Sequence, residues 1–149
     1  MAVKVEGLAD LEQALSELPK ATARNTLQRT LKKGGEIVKE AWAPRVPKLT
    51  GHLEHSIIVG PSSKLTPRQK RDAKKDGKHF AEIHVGTSDP AGQQLEFGNI
   101  HQAAHPTGRP AWEATKDQVL NGIAKDLGTE IEKSAARLAR KAARLAAKG

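Results

Sequence analysis

The chain has 149 residues, and its 25 Lys and Arg against 17 Asp and Glu give a formal net charge of +8, which favours nucleic acid or acidic protein as a partner. The absence of Cys excludes disulfide scaffolds, thiolate zinc sites and thiol catalysis, while two Trp, two Phe and no Tyr argue against a surface that stacks nucleic-acid bases. No apolar run reaches the length of a signal peptide or of a membrane span, so we expect a protein that folds in a cytoplasm and has no membrane partner.

The first third of the chain is predicted to be mainly helical. Val alternates with charged residues over 2–7, which predicts a short strand. Leu recurs at helical spacing over 8–18, and Pro19 ends that helix. A longer amphipathic helix is predicted over 22–42, and two consecutive Gly in its middle predict close packing against another backbone.

The middle of the chain is predicted to form strands around a basic segment. After an extended linker over 43–51, β-branched residues predict a strand over 53–60. Alternation over 79–87 predicts a second strand that pairs with the first, and 93–97 is predicted as an edge strand. The segment 62–78 is rich in Lys and Arg, and it is predicted as a mobile loop or a short exposed helix.

The stretch from Leu95 to Trp112 is predicted to be the corner that fixes how the last helix lies on the sheet. Gly98 is predicted to take a positive φ angle or to approach another chain closely. Glu96 is predicted to be held by Arg109 or by backbone N–H groups, and a salt bridge to another subunit is the alternative. The last helix is predicted to begin at Pro110, whose missing N–H costs nothing in a first turn.

Two groups of basic residues are candidate contacts for DNA or for an acidic protein. One lies on the segment 62–78, and the other lies on the end of the last helix, which is predicted to run over 110–147. Such a helix is about 55 Å long, so its end should project from the domain or meet another chain. The basic residues are Lys70, Arg71, Lys74, Lys75, Arg137, Arg140, Lys141 and Arg144. A solvated face without a partner is the alternative for both groups.

The sequence contains no recognisable catalytic constellation. Six His are present, but their spacing matches no zinc-binding helix, and there is no Gly-rich phosphate loop or nucleophile elbow. We therefore expect no enzymatic activity, no metal and no cofactor. A hydrolase or metal enzyme that uses His101, His105 and Glu96 is the alternative.

Several short motifs, in this order, resemble those of the neck or tail-completion proteins of long-tailed bacteriophages, over about residues 3–125. They are Val3-Lys4-Val5-Glu6-Gly7-Leu8, Ala43-Pro44, Leu49-Thr50-Gly51-His52-Leu53, Ser56-Ile57, Glu96-Phe97-Gly98, His105-Pro106 and Arg109-Pro110-Ala111. The sequence departs from that family at Thr107 and Gly108, where the family has a bulky residue directly after the Pro. The resemblance does not extend to the end of the chain, so we expect a tail-completion-like domain over 1–132 and a basic helical extension over 133–149.

The resemblance implies an α+β fold, in which a small, mainly antiparallel sheet packs against two long helices, with a long C-terminal helix. It implies a structural virion protein without catalytic residues, which is assembled in the host cytoplasm and forms a ring of six copies joining the DNA-filled head to the tail tube. The implied partners are other copies of the chain, the head-closure or stopper protein, the tail terminator or tail-tube protein, and DNA in the channel. The motif residues assigned to the fold and the subunit interface are Pro44, Thr50, Gly51, Leu53, Glu96, Phe97, Gly98, Pro106, Arg109 and Pro110. The alternative function is a nucleic-acid-binding protein that acts through the basic C-terminal helix.

Overall fold

The computed structural model describes residues 8–75 and 80–149, in which two long helices carry the remaining elements. In chain order the helices and strands are α1 (Leu8–Ser16), α2 (Lys20–Trp42), α3 (His52–Ser56), β1 (Ile57–Gly60), α4 (Pro67–Lys75), β2 (His84–Thr87), α5 (Pro90–Phe97) and α6 (Gly108–Lys148), of which α2 and α6 are the two long helices. Short 3₁₀ turns follow α2 at Ala43–Arg45 and β1 at Ser62–Lys64. The fold is therefore α+β, mostly helical with a two-stranded antiparallel sheet and a long C-terminal helix, as predicted.

The two long helices, α2 and α6, pack antiparallel along each other. Thr26 near the start of α2 hydrogen-bonds Ser134 in the second half of α6, whereas Gly34 further along α2 lies against Val119 nearer the start of α6. A Cβ atom on the buried Gly34 would lie 3.0 Å from Cγ1 of Val119. The missing side chain is therefore what lets α6 approach α2 so closely.

Strands β1 and β2 form an antiparallel pair in which Val59 lies opposite Val85, which confirms the predicted pairing. The pair lies on α2 at Gly35, where a Cβ atom would be 2.6 Å from Cγ1 of Val59 and 3.1 Å from Cγ2 of Val85. Ile57 of β1 is fully buried. The two consecutive Gly of α2 thus contact α6 on one side and the sheet on another. The packing is close, as predicted, but the atoms nearest to each Gly belong to side chains and not to another backbone.

A second apolar cluster lies at the other end of the α2/α6 pair, where α1 packs against the two long helices. Its buried members are Leu18, Ala23, Leu127 and Ile131, and the partly buried side chains packed around them include Leu11, Leu15, Leu27 and Leu138. The Leu spacing that predicts α1 is thus the face that α1 packs against the long helices.

Helix α6 is unbroken over 41 residues, which makes it about 60 Å long. It begins at Gly108, two residues before the predicted start, and Gly122 and Gly128 lie within it. Every residue from 139 to 149 is exposed, so the end of α6 projects from the rest of the described chain, as predicted. The division of the chain at residue 133 stays a prediction.

The predicted strand over 53–60 is wrong in its first half. Residues His52–Ser56 form the single helical turn α3, and only Ile57–Gly60 are a strand. The boundary falls where the β-branched run begins, since His, Leu and Glu have no preference for the extended conformation.

The predicted edge strand over 93–97 is also wrong, because these residues belong to helix α5. Asp89 caps this helix, since its Oδ1 accepts the backbone N–H of Ala91 at 2.9 Å. Pro90 occupies the first helical position, where its fixed φ angle favours a helix. The α5 helix is therefore set by its start and stop residues, and not by its apolar pattern.

Two further predictions are settled in part. The strand predicted over 79–87 is a strand only over 84–87. The short helix predicted as one alternative within 62–78 is present as α4, whose residues are exposed or half-buried. The strand predicted over 2–7, the end of the basic segment and His79 lie outside the described residues.

Candidate functional site

The predicted corner joins α5 to α6 through the carboxylate of Glu96. Its Oε2 accepts the backbone N–H groups of Thr107 and Gly108 at 2.8 and 2.9 Å, and its Oε1 accepts that of Arg109 at 2.8 Å. The first four N–H groups of a helix have no partner within the helix. Glu96 takes three of them, and Pro110 at the fourth position has none to offer. The start of α6 therefore leaves no N–H group unsatisfied.

The environment of Glu96 keeps its carboxylate ionised. Burial raises the pKa of Glu96, but the three backbone N–H groups and the charge of Arg109 lower it more strongly, so the pKa lies below its ordinary value. The negative charge stands at the N-terminus of α6, where the helix dipole favours an anion. The predicted clamp by backbone N–H groups is thus confirmed, and Arg109 supplies one of those groups.

Trp42, at the end of α2, supports the same corner. Its indole Nε1–H donates a hydrogen bond to Oγ1 of Thr107 at 2.9 Å. Its ring lies over Gly108, where a Cβ atom would be 3.1 Å from Cε2 and Cζ2 of the indole. The two residues at which the sequence departs from the phage pattern are therefore the place where α2 contacts the start of α6.

Gly98 ends α5 and turns the chain back. Its φ angle is +74°, as predicted, and a Cβ atom there would lie 2.8 Å from a backbone nitrogen of the following turn. In that turn Asn99 and Gln102 form an isolated β-bridge, and Oδ1 of Asn99 accepts the backbone N–H of His101 at 2.8 Å. Ile100 at the tip is 94% exposed. The turn therefore presents a large apolar side chain to solvent on an ordered backbone.

Further motif residues surround α5 on the side of α3. Gly51, with a φ angle of +75°, precedes α3, and Leu53 of α3 packs against Gly92 of α5. Thr50 and Leu53 line a shallow cleft beside α5 together with Leu49, which is 96% exposed. The structure thus brings the middle and later motifs together around α5, although they are distant in the sequence.

Two motif Pro residues lie at the edge of this region. Pro44 belongs to the 3₁₀ turn after α2, Pro106 lies in the segment before α6, and both are exposed. The role of the motif residues in a subunit interface stays a prediction.

An open apolar groove of about 940 Å³ lies on the other side of α5, between α2, α4, β2 and α6. Its lining includes the α2 and α6 residues Gly34, Gly35, Val119 and Ile123, together with the aromatic side chains of Trp42, Phe97 and Trp112. Phe97 is 67% exposed and Trp112 is 47% exposed. Exposed aromatic side chains beside an apolar groove are typical of a surface that contacts another molecule.

A buried polar network, which no pattern in the sequence predicts, lies between α2 and α6. The carboxylate of Glu130, in a residue only 7% exposed, is 3.4 Å from Nε of Arg29 and 3.7 Å from Nζ of Lys33. Burial raises the pKa of Glu130, but Lys133, Lys33 and Arg29 lower it more strongly, so the pKa lies below its ordinary value. In the sequence, the one sign of this network is that Glu130, a carboxylate, lies on the apolar stripe of α6 directly before Ile131.

The two predicted basic groups lie far apart. The first group is carried by α4, which borders the groove that reaches Ile123 of α6, whereas the second group begins at Arg137. The 14 residues of helix from 123 to 137 span about 21 Å, so the two groups do not form one patch. All eight side chains are exposed, and Lys75 is paired with Asp72 at 3.2 Å. Their contacts with DNA or protein stay a prediction.

The residues of the alternative metal or hydrolase hypothesis are not arranged as a site. His101 and His105 are exposed, and both oxygens of Glu96 are engaged by backbone N–H groups. Within residues 8–75 and 80–149, no three His, Asp or Glu side chains are placed to hold a metal ion. In that part of the chain, no helix combines the length and apolar character needed to cross a membrane.

Comparison with known proteins assigns the chain to a family. The model of the family described as "Bacteriophage HK97-gp10, putative tail-component" matches residues 9–98, which is 90 of the 149 residues. The chain belongs to this family. No curated protein and no solved structure gave a match.

Membership of the HK97-gp10-like family makes the chain a structural component of a bacteriophage tail. Its place is therefore the virion, and its partners are other virion proteins. The family match begins in α1 and ends at Gly98, where α5 ends and the chain turns towards α6. It includes Glu96, whereas the backbone groups that Glu96 binds lie beyond the match.

Proposed function

We propose that this tail component forms a closed ring of six copies at the head–tail junction, where it joins the DNA-filled head to the tail tube. The order of its motifs, which resembles that of neck or tail-completion proteins, supports this position within the tail. Its neighbours are then the head-closure or stopper protein and the tail terminator or tail-tube protein, and DNA passes through the ring. Assembly takes place in the cytoplasm of the host bacterium.

The observation that carries the proposal is the exposure of large apolar side chains on both sides of α5. Leu49 and Ile100 are more than nine-tenths exposed, and Phe97 and Trp112 are exposed by 67% and 47%. Clustered exposed apolar side chains mark surfaces that contact other proteins. A subunit of a ring needs two such surfaces, one for each neighbour.

The backbone that carries these side chains is held in one geometry. Glu96 fixes α5 to the start of α6, and the turn after Gly98 is held by the hydrogen bonds of Asn99. An interface that is ordered before association loses less conformational entropy when it forms. The corner is therefore suited to assembly of identical subunits.

The test is a count of this polypeptide in purified phage particles by mass, in tailed and tailless forms, set against its mass in solution. We expect a fixed count of six in tailed particles. Absence from tailed particles, or a count that varies with the amount of protein supplied, would reject the ring.

DNA binding by the end of α6 is the second candidate function. The observation that favours it is the exposure of every residue from 139 to 149, on a segment that carries Arg140, Lys141 and Arg144. If these residues contact phosphates, the logarithm of the binding constant falls linearly with the logarithm of the salt concentration. A chain that does not bind duplex DNA at low salt would exclude this function.

A further inference from the structure

The last part of α6 carries its positive charge along one side of the helix. From residue 133 onwards the chain has six cations and no carboxylate. Because successive residues of a helix are rotated by about 100°, the spacing of these cations places all six within an arc of about 100°. They are Lys133, Arg137, Arg140, Lys141, Arg144 and Lys148. We refer to residues 137–148 as the basic end.

The basic end has no counter-charge among the residues that the structure describes. Lys133 is paired with Glu130 at 3.5 Å, whereas the five cations beyond it are exposed and form no ion pair with residues 8–75 or 80–149. Leu145, which is 63% exposed, lies beside two of them, four residues after Lys141 and three before Lys148. Phosphates require cations alone, whereas an apolar side chain among cations favours contact with a protein surface.

Helix α1 and the turn after it carry the opposite charge. Residues 8–19 contain three carboxylates and no cation, and all three carboxylates, those of Asp10, Glu12 and Glu17, are exposed. None of them forms an ion pair within the described part of the chain. The backbone N–H of Glu17 donates to the carbonyl of Gln13 at 3.2 Å, so Glu17 continues the helical turn and lies on the same side as Asp10, two turns earlier. We refer to these three carboxylates as the acidic face.

The acidic face differs from the other carboxylates that the structure describes. Residues 80–107 also contain three carboxylates and no Lys or Arg, but each is engaged. Glu96 accepts three backbone N–H groups, Asp89 caps α5, and Glu82 lies 3.6 Å from Nε2 of His84. Helix α2 and residues 108–132 carry charges of both signs. Within the described ranges, α1 is therefore the segment whose exposed charge is entirely negative and unpaired.

We propose that the basic end of one copy lies against the acidic face of the next copy. This inference rests on the proposed ring and identifies one contact between neighbouring subunits. The cations from Arg137 to Lys148 span about 17 Å of helix and the carboxylates from Asp10 to Glu17 about 11 Å, so the row of cations is long enough to cover the carboxylates. Opposite charges on two surfaces favour their association in one orientation.

The two surfaces of one copy cannot meet each other. Helix α1 packs beside Leu127 and Ile131 of α6, and α6 continues without a break to Lys148, so the basic end points away from α1 and does not turn back. The contact therefore joins two different surfaces of two copies. A heterologous contact of this type repeats from copy to copy and closes into a ring.

Reversal of the charges tests the contact in phage particles. We expect Arg140→Glu/Arg144→Glu to lower the yield of tailed particles at least about tenfold, because like charges would then face each other. Asp10→Lys/Glu17→Lys should cause the same loss. The two pairs combined reverse both surfaces and keep the net charge at +8, since one pair subtracts the four charges that the other adds. This combined variant should restore the wild-type yield with six copies of the chain.

A control distinguishes the contact from an effect of net charge. Arg140→Glu/Arg144→Glu combined with Glu113→Lys/Asp117→Lys has the same net charge, but its new cations lie on the exposed first part of α6. We expect no restoration by this variant. Restoration here, or failure of the combined reversal to restore the yield, would overturn the inference. All substituted side chains are exposed, so unchanged melting temperatures are expected and show that the variants fold.

DNA is the other candidate for the basic end, and the same variants identify it. If Arg140→Glu/Arg144→Glu no longer binds duplex DNA at low salt but still gives tailed particles with six copies, the basic end contacts DNA. The contact with α1 is then wrong and the ring stands. If the wild-type copy number is not fixed, the ring itself is wrong.

Disulfide cross-linking gives an independent test, because the chain has no Cys of its own. Gln13 and Leu145 are exposed beside the acidic face and the basic end, so Gln13→Cys/Leu145→Cys carries one thiol on each surface and keeps every charge. After oxidation of tailed particles we expect a ladder of linked species that ends at the full ring. The two single variants are the matched controls and should stay monomeric. Linkage that stops at dimers would mean a reciprocal pair, and this outcome, or no linkage at all, would overturn the inference.

Discussion

The carboxylate of Glu96 accepts the backbone N–H of Gly108 at 2.9 Å, twelve residues further along the chain. Helix caps are usually supplied by the residue directly before the helix, which here is Thr107. Its hydroxyl is instead the acceptor for Trp42, and Glu96 takes over the capping from the preceding helix. The direction of α6 relative to α5 is therefore set by hydrogen bonds to one carboxylate.

Glu96→Gln tests this role directly. The amide replaces one acceptor oxygen by a donor that then faces backbone N–H groups, and the negative charge at the helix start is lost. Since hydrogen bonds to charged groups contribute about 1.5–3 kcal/mol, we expect the free energy of unfolding to fall by about 2 kcal/mol in urea denaturation. Glu113→Gln is the control, because Glu113 forms an exposed pair with Lys116, and its change should stay below about 0.5 kcal/mol. Equal effects of the two variants would contradict the capping role.

The same carboxylate predicts a dependence of stability on pH. The pKa of Glu96 is lower in the folded chain than its ordinary value of 4.5, so the unfolded chain binds the proton more readily as the pH falls. The stabilisation by Glu96 is thus complete above about pH 5.5 and is lost as the pH falls through the lowered pKa. We expect the difference in unfolding free energy between the wild type and Glu96→Gln to be constant at neutral pH and to shrink in acid. Glu130 also has a lowered pKa, but it is present in both proteins and cancels. A difference that grows on acidification would exclude this explanation.

The long helices could be predicted from the sequence because their pattern repeats over many turns. The Leu spacing predicts α1, the longer amphipathic pattern predicts α2, and the predicted last helix differs from α6 by two residues at its start. Short elements do not carry enough repeats to distinguish the helical period of 3.6 residues from the strand period of two, and so the apolar pattern of 93–97 predicts a strand. The better signals for α5 were Asp89-Pro90 before it and Gly98 after it, which are typical start and stop residues of a helix.

The site could be predicted only where a local rule applies. A carboxylate between Leu95 and Phe97 needs a partner, so a clamp at Glu96 could be predicted, and a Gly after a bulky residue predicts a positive φ angle. The identity of the clamp partners depends on α5 being a helix. The apolar groove and the pairing of Arg29 with Glu130 depend on how distant segments pack, which no local pattern encodes.

Gly35 is predicted to be intolerant of even one added methyl group. In Gly35→Ala the new Cβ atom would lie 2.6 Å from Cγ1 of Val59, a β-branched side chain that cannot turn away. Overpacking of this kind costs about 1–3 kcal/mol and exceeds the gain of about 1 kcal/mol from helix propensity, so we expect a net loss of about 1 kcal/mol. In Gly122→Ala the nearest atom, Cδ1 of Ile37, is 3.9 Å away, and this matched variant should be stabilised. Thermal unfolding of both proteins checks the sign, and stabilisation of Gly35→Ala would contradict the packing.

The hydrogen bond between Thr26 and Ser134 predicts coupling between two distant positions. The two hydroxyl oxygens are 3.0 Å apart and buried between α2 and α6. Thr26→Val or Ser134→Ala alone leaves the other hydroxyl without this partner, which should cost about 1–2 kcal/mol. The double variant removes both groups and should lose less than the sum of the single variants by about 1 kcal/mol. Additive losses in urea denaturation would show that the two residues do not stabilise the α2/α6 pair as a unit.

Because the end of α6 is exposed, we expect the stability of the fold not to depend on it. A chain that ends at Leu138 lacks 11 residues, all of them exposed, and keeps the side chain that packs against the cluster of α1 and α2. Because no buried surface is removed, we expect its free energy of unfolding to lie within about 0.5 kcal/mol of the full chain. Leu138→Ala in the full chain is the contrasting variant, and the loss of a partly buried Leu should cost about 1–2 kcal/mol. If phosphates are bound by α6, the shortened chain loses most of the salt dependence of DNA binding. A shortened chain that is as unstable as Leu138→Ala would contradict the projection of the helix end.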